Sequence, residues 1–319
     1  MIPALVLTAG LATRLRPLSH VRAKAALPVA GDALVRRILR QLAAAGVADA
    51  VLNLHHKPET VAGAVGDGSD LGLRVRYSWE APVVLGSAGG PRHALQLLDS
   101  DTFLIVNGDT LTDVDIRGLI DEHRRHGALV TMALVRNTEP DKYGGVLLDG
   151  DGAVTGFVRR GAAPQSYHFV GVQVARASAF ASLPDNVPHE SVLALYPALM
   201  ASAPGSVRGF LTDATFMDIG TPADYLNTSL TLVAREGGRL AGARTHVAPS
   251  ARVDRSILWD DVEIGEGAFL RECIVTDGVR VPADTSWHGV TIRLAANDLV
   301  PGEKRIGDLA IGTLKEMNV

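Results

Sequence analysis

The chain opens on an apolar run, Ala4 to Leu7, which breaks into small residues at Ala9 and Gly10. From there to about residue 130, short β-rich runs alternate with stretches whose apolar positions recur at helical spacing. The runs Ala-Val-Leu-Asn-Leu (50–54), Leu-Arg-Val-Arg-Tyr (73–77) and Phe-Leu-Ile-Val-Asn (103–107) read as strands, and the helical pattern falls near 32–45, 58–65, 89–98 and 115–126. Alternation of this kind builds a parallel sheet with helices on both faces, and such sheets bind ligands at the carboxyl ends of their strands. Strand signals dominate residues 129–175, where Asp-Gly-Asp-Gly (149–152) reads as a hairpin turn. A helix near 190–201, a strand near 207–211 and a helix near 222–235 complete a first domain, residues 1–238.

Residues 239–319 change character. Segments beginning at Val247, Ile264 and Val281 align with a period of 17 residues. In each, an aliphatic residue opens one hexad and a large apolar residue (Val253, Leu270, Trp287) opens the next. A small or β-branched residue falls four places after each opener: Ala251, Ile257, Ala268, Ile274, Thr285 and Thr291. Inward-pointing aliphatics every sixth residue are what a parallel β-helix needs to fill its axis. Three coils are few, so they are expected to pack on the first domain or on a second subunit; a homo-oligomer through the coils is the expected form of the latter.

Composition narrows the function classes. The net charge of −4 gives no basic footprint, so no nucleic-acid partner is expected and a nucleotide ligand needs a local cationic site. The single cysteine, Cys273, excludes an internal disulfide and fits a reducing compartment. The apolar start lacks a basic leader and runs straight into a turn, so it reads as a buried strand rather than a signal peptide. No run approaches the ~18 apolar residues of a membrane helix. A cytoplasmic protein without a membrane partner is expected.

Three places carry chemistry. The turn after the first strand is neither Gly-x-Gly-x-x-Gly nor a P-loop. Its small residues still let backbone N–H groups approach a phosphate, and Arg14 and Lys24 can supply charge, the first as a planar fork and the second as a point charge. A solvated loop is the alternative. Asp109 follows an apolar strand, where its carboxylate either emerges at the strand's end or caps the next turn. Asp218 precedes a helix begun by Thr221 and Pro222, and it serves either as a helix-entry residue or as a cation ligand. A hard cation such as Mg²⁺ is typically held by one or two carboxylates plus substrate phosphates.

Together these segments resemble the sugar-1-phosphate nucleotidyltransferase family. Ala-Gly-Leu-Ala-Thr-Arg-Leu-Arg-Pro-Leu-Ser (9–19) followed by Lys24 looks like its Gly-rich signature, and Leu-Gly-Ser-Ala-Gly-Gly (85–90) looks like its base-recognition segment. Asn-Gly-Asp (107–109) and Asp-Ile-Gly-Thr-Pro-Ala-Asp-Tyr-Leu (218–226) look like its two metal segments, and Asp-Lys-Tyr-Gly-Gly-Val (141–146) matches the substrate loop between them. The resemblance spans nearly the whole chain in order. It implies a Rossmann-like mixed-sheet α/β domain followed by a short left-handed parallel β-helix. It also implies the reaction of an NTP with a sugar 1-phosphate to give an NDP-sugar and pyrophosphate. On that reading Ala9, Gly10, Leu11, Ala12, Thr13, Arg14, Lys24, Leu85, Gly86, Ser87, Asn107 and Gly108 face the nucleotide. Gly144, Arg160 and Gly171 face the sugar phosphate. Asp109 and Asp218 hold Mg²⁺, and with Arg14 and Lys24 form the catalytic set.

Three departures stand out. Ala12 replaces the second signature glycine. Phe-Val-Arg-Arg-Gly (157–161) stands where the family usually has Phe-x-Glu-Lys-Pro, leaving Arg160 to take over the lysine's phosphate contact and nothing to replace the glutamate. Phe-Val-Gly (169–171) likewise stands where many members have Asn-Ala-Gly. The chain looks most like mannose-1-phosphate guanylyltransferases, so GTP and mannose 1-phosphate are the favoured substrates. The alternatives are a uridylyltransferase for an N-acetyl amino-sugar 1-phosphate and a non-catalytic, sugar-nucleotide-binding regulator.

Overall fold

The computed structural model describes residues 2–296 and 299–314; residues 297–298 and 315–319 of the expected C-terminal segment lie outside the described residues. The chain forms two compact units, neither continuous in sequence. The first holds the residues up to Gly10, Val35–Pro58 and Val65–Met217; the second holds Leu11–Leu34, Glu59–Ala64 and the described residues from Asp218 onward. The longer helices are α1 (Leu34–Ala44), α2 (Pro58–Val65), α3 (Gly86–Leu98), α4 (Ile116–His126), α5 (Tyr196–Ser202) and α6 (Pro222–Glu236). Among the described residues, no helix is long and apolar enough to cross a membrane.

The first unit is built on a nine-stranded sheet. Its strands are β1 (Ala4–Leu7), β2 (Asp49–Leu54), β3 (Arg74–Trp79), β4 (Thr102–Asn107), β5 (Val130–Arg136), β6 (Gly145–Leu148), β7 (Val154–Val158), β8 (Tyr167–Arg176) and β9 (Val207–Leu211). The order runs β7-β6-β8-β4-β1-β2-β3, with β5 pairing β8 and β9 pairing β5. β4, β1, β2 and β3 are parallel, as the strand–helix alternation predicts. The parallel pattern stops at β8, which runs antiparallel to β4, so the sheet is mixed. β6 and β7 form the hairpin whose turn carries Asp149–Gly152. The core gathers Leu5, Val51, Phe103, Ile105, Met132, Leu134, Phe180 and Tyr196. The predicted helix at 190–201 begins as a wider turn, with the Leu195 N–H bonded to the Glu190 carbonyl, before α5 takes over. Register decides where the chemistry goes. Leu7 of β1 lies level with Asn53 of β2 and Asn107 of β4, so three strands end together beside the opening turn.

Among the buried groups of this unit is a histidine whose protonation is coupled to folding. His123 of α4 is 2% exposed, and its Nδ1 shares a hydrogen bond with Thr131 Oγ1 on β5 at 2.9 Å. Burial, with the Arg176 and Arg124 charges adding to it, brings its pKa down from 6.5 to about 4. Between those values the unfolded chain binds a proton that the folded chain refuses, so stability is lost as pH falls from about 6.5 to about 4 and levels off below. The loss expected by pH 5 is about 2 kcal/mol. Denaturant melts at pH 7 and pH 5 check this: His123→Gln should flatten the difference, and an equal drop in both proteins would assign it to other groups.

In the second unit the 17-residue period is realised in register. Val247, Ile264 and Val281 stack on one face, Val253, Leu270 and Trp287 on a second, and Ile257, Ile274 and Thr291 on a third, all in parallel pairing. Ile264, Leu270, Ile274 and Val281 fill the axis as the hexad pattern predicts, at most 3% exposed, whereas Val247, the opener of the first coil with no coil stacked beneath it, is 37% exposed. Charges repeat at the same period on the outside, Arg244 with Asp261 and Arg255 with Glu272. After the third coil, Val290–Leu294 pairs antiparallel with Leu309–Thr313, which pairs in turn with Lys304–Ile306. This extension pairs with the strand edge of the third face, an edge that would otherwise be open to another chain, and leaves the charged strand Lys304–Ile306 as the new edge of that sheet. Inside it Arg293 Nε donates to Glu303 Oε1 at 2.8 Å, a buried pair that satisfies both charges.

Candidate active site

The first unit positions the strand-end residues by close backbone approach. The Gly108 N–H donates to the Leu7 carbonyl at 2.9 Å, and a Cβ on Gly108 would sit 2.6 Å from that oxygen. Only glycine lets the end of β4 press against the end of β1. Gly171, at φ +80°, lies against Asn107, where a side chain would meet its Cβ at 2.9 Å. Asn107, Gly108 and Gly171 are thus brought together, and Asp109 follows directly, with Thr110 Oγ1 donating to its Oδ1 at 3.1 Å.

A buried polar chain joins the opening strand to the segment read as base-binding. The Thr8 N–H donates to Asn53 Oδ1 at 2.6 Å, Asn53 Nδ2 donates to Glu80 Oε1 at 2.7 Å, and the Leu85 N–H donates to Glu80 Oε2 at 2.6 Å. Glu80 is 2% exposed, so its carboxylate depends on these donors in place of water. Gly90 keeps the space: a Cβ there would lie 2.7 Å from Glu80 Oε1. On the other side of Leu85, Ser87 Oγ donates to Glu190 Oε2 at 2.7 Å and accepts from the Ser191 N–H at 2.8 Å. Leu85, Gly86 and Ser87 therefore sit on a braced helix start. Asn53, Glu80 and Glu190 are not marked by any motif; the one local signal for Glu80 is an acidic residue directly after the strand Arg74–Trp79.

The loops read as sugar-binding also meet. The Gly161 N–H donates to the Pro140 carbonyl at 2.7 Å, which folds the loop carrying Arg160 onto the loop that leads to Gly144. Gly144 itself lies against the Val158 carbonyl. Beside it, Tyr143, His168 and Phe216 stack, with ring centroids 4.3 Å apart for Tyr143–His168 and 4.8 Å for His168–Phe216. Burial lowers the pKa of His168 and favours the neutral ring.

The second unit assembles the cationic set. Its boundary falls inside the opening turn, after Gly10. Ala12 stands at φ +47°, in the left-handed region, which costs an alanine about 1 kcal/mol and a glycine nothing. That is the physical meaning of the departure at this position: the backbone keeps the glycine conformation without the glycine. Thr13–Leu15 then form a tight turn that presents Arg14. Lys24 opens a second such turn, Lys24–Ala26. Asp218 ends a short strand, Phe216–Asp218, and the helix behind it starts as predicted: Thr221 caps it, and the Thr221 N–H donates in return to Asp224 Oδ2 at 3.0 Å. Lys24 Nζ lies 3.9 Å from Asp218 Oδ1. Around Gly220, a Cβ position would find Asp218 Oδ2, Asp224 Oδ2 and an Arg14 guanidinium nitrogen within 3.2–3.3 Å. Arg14, Lys24 and Asp218, far apart in sequence, converge here.

The donor chemistry suits Mg²⁺. No group of three or more His, Cys, Asp or Glu able to hold a metal occurs among the described residues. The candidate ligands are hard carboxylate oxygens, and Mg²⁺ accepts one or two of these with phosphate oxygens and water completing the shell.

Comparison with known proteins agrees with these motifs. The Nucleotidyl transferase family profile matches residues 3–235, and the GlmU-like C-terminal hexapeptide profile, a left-handed β-helix repeat, matches residues 238–290. A mannose-1-phosphate guanylyltransferase of Mycobacterium tuberculosis (strain ATCC 25618 / H37Rv) is 32% identical over 294 residues, covering 88% of this chain and 82% of that protein. A UTP–glucose-1-phosphate uridylyltransferase of Synechocystis sp. is 25% identical over 298 residues, covering 87% and 76%. The crystal structure of HddC from Yersinia pseudotuberculosis superposes with a TM-score of 0.64 at 23% identity, over 73% of this chain and all of that one, which shows a shared fold. By its profile match and by its identity to these relatives, the chain belongs to the nucleotidyl transferase family.

Proposed function

We propose that the protein transfers a guanylyl group from GTP to mannose 1-phosphate, releasing pyrophosphate. The observation that supports this reading is the convergence of Arg14 and Lys24 on Asp218, two cations of the kind a polyphosphate needs beside a carboxylate of the kind its counter-ion needs. An oxygen of the sugar phosphate attacks the α-phosphorus while the bond to the departing pyrophosphate breaks. The nucleophile is already an anion, so the chain needs no strong general base. Its task is positioning and charge neutralisation. Arg14 and Lys24 neutralise the β- and γ-phosphates and the leaving group. Backbone N–H groups of Gly10 to Thr13 approach the same phosphates, and Leu85, Gly86 and Ser87 let the base lie against backbone. Asp109 and Asp218 are the carboxylates proposed for Mg²⁺, which would add positive charge at the reacting phosphates.

GTP is favoured because relatives at 32% and 28% identity carry guanylyltransferase names. The uridylyltransferase similarity supports UTP as the second reading. Pyrophosphate release measured with four NTPs against a panel of sugar 1-phosphates separates them. GTP with mannose 1-phosphate should give the highest kcat/KM; a UTP maximum would support the second reading, and no release with any pair would support a non-catalytic binder. Arg160 is proposed to hold the sugar phosphate. Arg160→Ala should raise KM for the sugar 1-phosphate about 10-fold, the worth of one charge-assisted contact, and leave KM for the NTP nearly unchanged. An equal change in both, or in neither, would make it a surface charge.

A further inference from the structure

The 17-residue period places Asp260 and Asp277 one above the other on successive coils of the β-helix, and the Asp260 N–H donates to Asp277 Oδ1 at 3.1 Å. Stacked carboxylates repel, and the residue that neutralises both is not on the β-helix. Arg22, two residues before Lys24, donates from Nε to Asp277 Oδ2 at 2.8 Å and from Nη2 to Asp277 Oδ1 and Asp260 Oδ2, both at 2.6 Å. Its guanidinium also lies over the Trp259 ring, 5.3 Å from the centroid. The fork on one carboxylate plus an aromatic face is the geometry arginine supplies and lysine does not.

A second clamp grips the other side of Lys24. Trp259 Nε1 donates to Tyr225 Oη at 3.0 Å, and Tyr225 Oη donates to the Pro28 carbonyl at 2.6 Å. Both aromatic residues are fully buried. The short stretch between the clamps is held as well: the Ala23 N–H donates to Thr60 Oγ1 at 3.1 Å, and the Leu27 N–H closes the Lys24 turn at 3.2 Å. The segment carrying Lys24 is therefore fastened at both ends to one corner of the β-helix, Trp259–Asp260, and all of these residues belong to the second unit.

We infer that Arg22 is a positioning residue, and that the β-helix corner formed by Trp259, Asp260 and Asp277 sets the place of Lys24 for the polyphosphate. The inference rests on the proposed role of Lys24. It gives the coils a part in the reaction although none of the candidate active-site side chains lies on them.

The test uses Asp277→Asn, an isosteric change on the coil that keeps a hydrogen-bond acceptor for Arg22 and for the Asp260 N–H, alongside Arg22→Lys and Arg22→Ala in the full-length protein. KM for the NTP should rise and kcat should fall, together lowering kcat/KM about 10-fold in each variant, while KM for the sugar 1-phosphate stays within two-fold. The Arg22→Ala/Asp277→Asn double variant should be little worse than Arg22→Ala alone, because both remove one interaction. A lowered melting temperature with unchanged kcat and KM for the NTP in Asp277→Asn and Arg22→Lys would overturn the inference and leave the corner as a structural fastening only. Lys24→Ala run beside them separates the two levels. If it leaves NTP kinetics unchanged, the reading of Lys24 fails. If it abolishes turnover while Asp277→Asn is silent, only the role of the corner fails.

Discussion

Asp218→Asn is expected to lower turnover by about 10²-fold or more, the scale of losing several kcal/mol of charge stabilisation at a phosphoryl site. The substitution keeps the shape of the side chain and removes its charge. Fold stability should change little, because Thr221 and Asp224 cap the helix behind it by bonds that do not involve Asp218. Asp109→Asn is expected to cost the same, since Asp109 is the other hard-oxygen ligand proposed for the ion. The two single variants and their double test whether one ion is shared. With a shared ion the second substitution adds much less than the first, because a site that has lost one ligand has already lost most of its metal. Raising Mg²⁺ should recover part of the activity of either single variant. Losses of only a few-fold in both, with Mg²⁺ still required for any turnover, would place the metal on other residues.

Much of the fold could be read from the chain because its signals are local. The strand–helix alternation gave α2 at 58–65 and α4 near 115–126, and Asp-Gly-Asp-Gly marked the β6–β7 turn. The period of 17 fixed the stacking of Val247, Ile264 and Val281, since each coil repeats the same inward positions. What stayed hidden depends on residues far apart in sequence. Glu80 looks like a polar strand end, and nothing near it shows that Asn53 and the Leu85 N–H will surround its carboxylate. Arg22 looks like one more charge in a basic loop, while its partners lie 238 and 255 residues away. The same distance hides that residues 11–34 fold in one compact unit with the C-terminal coils. Ala12 shows the opposite case: the missing glycine was legible, and only the backbone shows that its left-handed conformation survives.

The second large effect is expected at the opening turn, where two substitutions separate charge from shape. Lys24→Ala removes a cation whose charge-assisted contacts to phosphate are worth roughly 1.5–3 kcal/mol each, and more where pyrophosphate charge develops away from water. Synthesis should slow by about 10²-fold, and so should the reverse reaction, because entering pyrophosphate needs the contacts that departing pyrophosphate leaves. Gly10→Val tests shape. A Cβ at Gly10 would meet no protein atom within 4 Å beyond its chain neighbours, so the branch point of a larger side chain enters open space. With the melting temperature unchanged, a loss of nucleotide binding is then assigned to the valine occupying space that the phosphates require. Calorimetry should show NTP affinity falling by more than about 10-fold, with sugar 1-phosphate binding and melting temperature unchanged. Normal NTP binding by Gly10→Val would mean that backbone at this turn does not approach phosphate, and Arg14 and Lys24 would then need another ligand to explain why they converge beside Asp218.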